Sequence, residues 1–250
     1  MRLVPSGRSV ALAFLIVAGA ALMWVGARET GVFAVRTIAV AGAPPGVAAD
    51  VRRVLARTLG TSLLKVDLGA SMRAVEALPT VASARFDRAY PHTLRVVVVP
   101  ERPVAVVRQG VSAYLVAESG RVVATVGLRD RPELARIWVK QDVRLAPGAA
   151  TVGDLKTAVA AVAPLAYSHF PGHVSSVTAT STALTLRLSS GLEIRLGDPL
   201  DVPLKLAVAA RVIPLLGPGT LYLDLAVPER PVSGTLNSQV KGHGSPSTTP

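Results

Sequence analysis

The apolar positions of this chain change period several times, and the first stretch has no polar break at all. Residues 9–27, S-V-A-L-A-F-L-I-V-A-G-A-A-L-M-W-V-G-A, are uncharged. As a helix they would rise about 28 Å, close to a hydrocarbon core of about 30 Å. The side chains expected to face lipid are Val10, Leu12, Phe14, Leu15, Ile16, Val17 and Leu22. Trp24 stands near the far end, where interfacial aromatics collect. Arg2 and Arg8 precede the segment and favour a cytoplasmic N-terminus. Val25-Gly26-Ala27 also offers a small-residue cleavage site, so a retained anchor and a cleaved signal peptide both fit these residues. Either one places the chain after Arg28 outside the cytoplasm.

Beyond that segment the pattern alternates between strand and helix periods. Val32–Val40 alternates as a strand, and Ala41-Gly42-Ala43-Pro44-Pro45-Gly46 ends it. In residues 47–59, Val47, Val51, Val54, Leu55 and Leu59 share one helical face, with Gly60 as the stop. Asp67 is placed to cap a second helix near 69–78, with Met72, Val75 and Leu78 turned inward and Pro79 ending it. Residues 81–88 alternate, a turn falls at Tyr90-Pro91, and L-R-V-V-V-V-P follows as a strand. Pro100 and Pro103 close that ladder. Strand–helix–helix–strand–strand packs two helices on one face of a small sheet, and the unbroken valines suit a strand shielded at least partly on its second face.

The second half is richer in strands. Residues 104–126 read as two strands, a Glu118-Ser119-Gly120 turn and a third strand, with Ile137–Leu145 next. Residues 152–166 fit a helix, 174–197 a hairpin, and 202–216 a helix disturbed by Pro214. Leu221-Tyr222-Leu223-Asp224-Leu225-Ala226-Val227 reads as a last strand before Pro228, and the polar stretch from 231 to 250 is expected to be disordered. The whole is α+β.

Four blocks in order, F-x-V-x-x-I-x-V-x-G (Phe33 to Gly42), G-T-S-L-L-K-V-D (Gly60 to Asp67), L-P-T-V-A-S-A-R (Leu78 to Arg85) and Y-P-H-T-L-R-V-V-V-V-P-E-R-P-V-A (Tyr90 to Ala105), resemble the FtsQ/DivIB family of bacterial cell-division proteins. The resemblance implies a cytoplasmic tail (1–8), one transmembrane helix (9–27), a POTRA domain (28–103) and a mostly antiparallel β-domain with helices (104–230). It also favours a retained anchor. Leu221–Val227 resembles the family's terminal strand, whose D-L-R core is broken here by Ala226 in place of Arg.

Composition narrows the chemistry. Cysteine is absent, which excludes disulfides and thiolate metal sites. Residues 28–150 hold 18 Lys and Arg against 10 Asp and Glu, whereas 151–230 hold six of each, so the basic excess belongs to the first half. Scattered arginines and 4% aromatics give no stacking platform for nucleic acid. His169 and His173 have metal-pair spacing, but Phe170-Pro171-Gly172 between them breaks a helix. His92 falls in a turn, Asp198 and Asp201 sit where they would cap a helix, and Glu101-Arg102 reads as a paired turn or a hinge contact between the domains. No phosphate loop or nucleophile elbow occurs.

These residues imply no catalytic site, no metal, no cofactor and no small-molecule substrate. What the resemblance implies is a bitopic scaffold of the divisome at the septal cell membrane. It would bind FtsB/DivIC-like and FtsL-like partners and help regulate septal peptidoglycan synthesis. If Leu221–Val227 is an edge strand, β-augmentation is its physical means of binding. The alternative is an exported binding module or enzyme released by signal-peptide cleavage.

Overall fold

The computed structural model of the chain describes residues 7–29, 31–139 and 143–235, with side chains of the first helix given at 11–23 and 26. The chain divides into two compact units, Met1–Pro100 and Glu101–Pro250.

The first unit begins with α1, Gly7–Glu29. Among the described residues no helix is long and apolar enough to cross a membrane. The expected span at 9–27 lies within α1. Val10 and Trp24 fall outside the described side chains.

A 3₁₀ turn at Gly31–Phe33 opens the folded domain, where the alternation from Val32 predicts a strand. The strand β1 starts later, at Thr37–Ala41, because the entry segment bonds to two loops instead. Then come α2 (Pro45–Leu55), α3 (Leu68–Glu76), β2 (Val81–Ala89) and β3 (Thr93–Pro100). The sheet order is β1-β3-β2, with β1 parallel and β2 antiparallel to the central β3.

Both helices pack on one face. Val51 and Leu55 of α2 and Val75 of α3 meet Leu94, Val96 and Val98 of β3 in one core. Asp67 caps α3 as expected, accepting from the Ala70 N–H at 2.9 Å. Met72 does not turn inward. It is exposed, and Ser71 takes the inward position by donating to the Asp67 carbonyl at 2.8 Å. The four valines also divide: Val96 and Val98 are buried, while Val97 and Val99 are 44% and 54% exposed. Strict alternation wins over the shielding the sequence suggested, since no layer covers the second face among the described residues.

The second unit holds one nine-stranded sheet. Its strands are β4 (Pro103–Gln109), β5 (Ser112–Ala117), β6 (Val122–Val126), β7 (Ala135–Trp138), β8 (Val174–Ala179), β9 (Leu184–Leu188), β10 (Glu193–Gly197), β11 (Tyr222–Asp224) and β12 (Val232–Gly234). Helix α4 (Gly153–Val162) enters before β8 and α5 (Val202–Val212) before β11. The spatial order is β12-β11-β10-β9-β8-β7-β4-β5-β6. Leu186, Ile194 and Leu223 stand in register across β9, β10 and β11, all fully buried under the helices' core.

Neither aspartate ahead of α5 caps it through its side chain. Asp201 adopts a left-handed conformation (φ 51°) with no side-chain cap. Asp198 instead holds the buried Lys205, whose Nζ donates to its Oδ1 at 2.5 Å and to its carbonyl at 3.0 Å. Asp198→Ala would strand a buried ammonium on one carbonyl, and we expect a loss of about 2 kcal/mol by urea unfolding. Lys205→Met removes the buried charge and should stay within about 1 kcal/mol of the parent. A larger loss in Lys205→Met than in Asp198→Ala would contradict this account of the pair.

Glu101 is fastened within the second unit, its carboxylate accepting from Ser119 Oγ at 2.9 Å, while the Arg102 carbonyl accepts from the Glu118 N–H at 2.8 Å. His92 lies in the turn between β2 and β3 as expected, half-buried, with Nδ1 3.2 Å from the Ala34 carbonyl. His169 and His173 are both exposed on the segment between α4 and β8.

Candidate partner-binding edge

The strand singled out in the sequence lies inside the sheet. Tyr222, Leu223 and Asp224 pair in parallel with Glu193, Ile194 and Arg195 of β10, and antiparallel with Gly234, Ser233 and Val232 of β12. Their backbone groups are engaged on both sides, so β11 is not the edge. Leu223 and Leu225 are fully buried in the core, while Leu221, Ala226 and Val227 are exposed.

The edge on this side of the sheet is β12, which the sequence pattern assigns to the polar tail, and β6 ends the other side. Arg230 N–H donates to the Val227 carbonyl at 3.0 Å, and this tight turn sends the chain back along β11. The signal was there in V-S-G-T-L, a short alternation just past Pro231. Val232 is 55% exposed and Ser233 is exposed as well. Among the described residues no strand pairs with the outer side of β12. A short edge strand of this kind presents backbone donors and acceptors to an incoming chain.

The outward face beside this edge is a polar ladder, opposite the row of buried leucines. Glu193 takes Arg195 Nε at 2.7 Å and Arg187 Nη2 at 3.3 Å. The Arg195 guanidinium lies 4.8 Å from the Tyr222 ring centroid, a cation–π arrangement. The hydrogen bond to Glu193 holds the Arg195 pKa above its ordinary value, with burial opposing and Glu193, Asp224 and Tyr222 adding to the rise. The guanidinium is therefore charged at any physiological pH. Gly234 is what lets the Tyr222 ring reach the edge, because a Cβ there would fall 2.5 Å from Tyr222 Oη. A cleft of about 260 Å³ runs along this face between Arg187, Glu193, Arg195, Leu221, Tyr222 and Thr235.

Ala226, which stands where the resemblance places Arg, packs against the other end of β10. A Cβ at Gly197 would lie 2.8 Å from the Ala226 Cβ. Its N–H donates to Asp224 Oδ1 at 2.9 Å, which closes the turn after β11. Among the described residues no cluster of three or more His, Asp or Glu could hold a metal.

The β-α-α-β-β arrangement of the first unit is that of a POTRA domain. Residues 33–102 match the family model described as POTRA domain, FtsQ-type. The match covers less than a third of the chain and shows an FtsQ-type POTRA domain in the first unit. No curated protein matches the chain. POTRA domains mediate protein–protein interaction, and an FtsQ-type one suggests a divisome-associated role.

Proposed function

We propose that this chain is a bitopic membrane scaffold of the bacterial divisome and not an enzyme. It recruits FtsB/DivIC-like and FtsL-like partners through its extracytoplasmic units and so helps regulate septal peptidoglycan synthesis. The observation that carries the reading is the FtsQ-type POTRA match over residues 33–102.

Two features of the fold support it. Helix α1 exposes apolar side chains on every side, among them Phe14 at 75% and Leu22 at 74%. A helix apolar all round needs a nonaqueous cover, and lipid supplies it, with the N-terminus cytoplasmic and the bulk of the chain outside. The second feature is β12, whose outer side pairs with no strand among the described residues, an arrangement that suits β-augmentation by an extended partner segment. The docking strand is thus Val232–Gly234 backed by Tyr222–Asp224, instead of Leu221–Val227 alone.

The test is binding of the full chain, held in lipid nanodiscs, to the extracytoplasmic segments of FtsB/DivIC-like and FtsL-like proteins. Saturable binding of at least one supports the reading. Absence of binding to all of them would overturn it.

A further inference from the structure

The entry segment Gly31–Arg36 is clamped between two loops that are distant in sequence. On one side, the Gly60 N–H donates to the Val35 carbonyl and the Val35 N–H to the Thr61 carbonyl, both at 2.9 Å. Leu63 N–H donates to the Phe33 carbonyl at 2.7 Å. On the other side, Arg36 and Thr37 N–H groups both donate to the His92 carbonyl, at 2.9 and 3.2 Å. The Phe33 and Tyr90 rings meet edge to face, their centroids 5.5 Å apart. The 56–65 loop, the 90–92 turn and the start of β1 therefore form one end of the domain, and Glu29, the last residue of α1, is two residues before that end begins.

What this end exposes is unusual for a solvated surface. Val32 is 58% exposed, Leu59 48% and Tyr90 54%. Around them stand the exposed cations Arg36, Arg57 and Lys65. Asp67, two residues after Lys65, accepts from the Ala70 N–H at the start of α3. Aliphatic tips, a tyrosine and ringed arginines are the composition of the water–lipid boundary, where apolar tips enter the headgroup region and cations meet anionic phosphates.

We propose that this end of the POTRA domain seats on the surface of an anionic bilayer, with Leu59 and Tyr90 immersed at headgroup depth and Arg36 and Arg57 paired with lipid phosphates. The inference rests on the reading of α1 as a lipid-embedded helix. It adds a second contact that would hold the domain down against the membrane instead of leaving α1 as its sole attachment.

Because the chain has no cysteine, single cysteines can carry nitroxide labels without background. The full chain would be placed in vesicles of phosphatidylcholine with or without phosphatidylglycerol, labelled at Ile16→Cys, Leu59→Cys or Tyr90→Cys. Depth is read from the accessibility of the label to oxygen against a water-soluble nickel complex. The expected result is lipid-like values at 16 in both vesicles, and at 59 and 90 with phosphatidylglycerol. A second variant, Arg36→Ser with Arg57→Ser, should weaken seating by about fivefold per cation and return 59 and 90 towards values of a free label in buffer. Both arginines are exposed, so its melting temperature should match the parent. Buffer-like values at 59 and 90 with lipid-like values at 16 would overturn the seating alone. Buffer-like values at 16 would overturn the membrane reading and the seating with it.

Discussion

Gly42→Ala is expected to destabilise the first unit by about 3 kcal/mol, lowering its melting temperature by roughly 12–24 °C. Gly42 follows β1 with φ at 82°, a conformation that L side chains rarely adopt. A Cβ there would also fall 2.5 Å from the Val98 carbonyl oxygen. That oxygen belongs to the central strand β3, which is hydrogen-bonded into the sheet and cannot yield without loosening β1 and β2. The two costs therefore add at one site. Gly46 provides the control: it lies at the start of α2, and a methyl group added to it would meet no atom within 4 Å. Gly46→Ala should therefore leave stability unchanged or raise it by about 0.5 kcal/mol. Calorimetry on the full chain reads both. Equal melting temperatures for Gly42→Ala and Gly46→Ala would contradict the packing described for β1 against β3.

Proline at β12 should cost partner binding about tenfold or more. Successive N–H groups of a strand point to opposite sides, so Val232→Pro and Ser233→Pro between them remove one donor facing β11 and one facing outward. The outward loss strikes the incoming strand directly, and the inward loss frays the strand that receives it. A tenfold change corresponds to about 1.4 kcal/mol, the upper range for one hydrogen bond, to which the ring's clash is added. The fold should survive, because Val232 and Ser233 are exposed and the buried Leu223 remains paired with Ile194 of β10. Circular dichroism checks that point. Parental affinity in both proline variants would exclude β12 as the docking strand.

Local rules made much of the first unit legible. Asp67 followed by an apolar helical face marks a cap, and the cap forms. The order of strands and helices follows from the change between period two and period 3.6. What escaped was set by tertiary partners. Val97 and Val99 look as apolar as Val96 and Val98, and only the one-sided helix layer decides which pair is exposed. Met72 and Ser71 compete for one inward position, and a hydrogen bond to the Asp67 carbonyl decides it.

The edge was less legible than the domain. P-E-R-P after Val227 reads as the end of ordered chain, yet its turn returns three residues to the sheet. So short a strand carries little periodic signal and is held by its register with β11. The Arg187–Glu193–Arg195–Tyr222 ladder was likewise invisible, since it joins three strands whose adjacency no local pattern fixes. Gly42 stood in the sequence as part of a family pattern, and its reason lies 56 positions away at Val98.

The most direct test of the scaffold reading is hydrogen–deuterium exchange of the full chain in nanodiscs, with and without bound FtsB/DivIC-like and FtsL-like segments. The account predicts new protection concentrated in Val232–Gly234, where the edge amides become paired. Binding that leaves those amides exchanging at their unbound rates would contradict it.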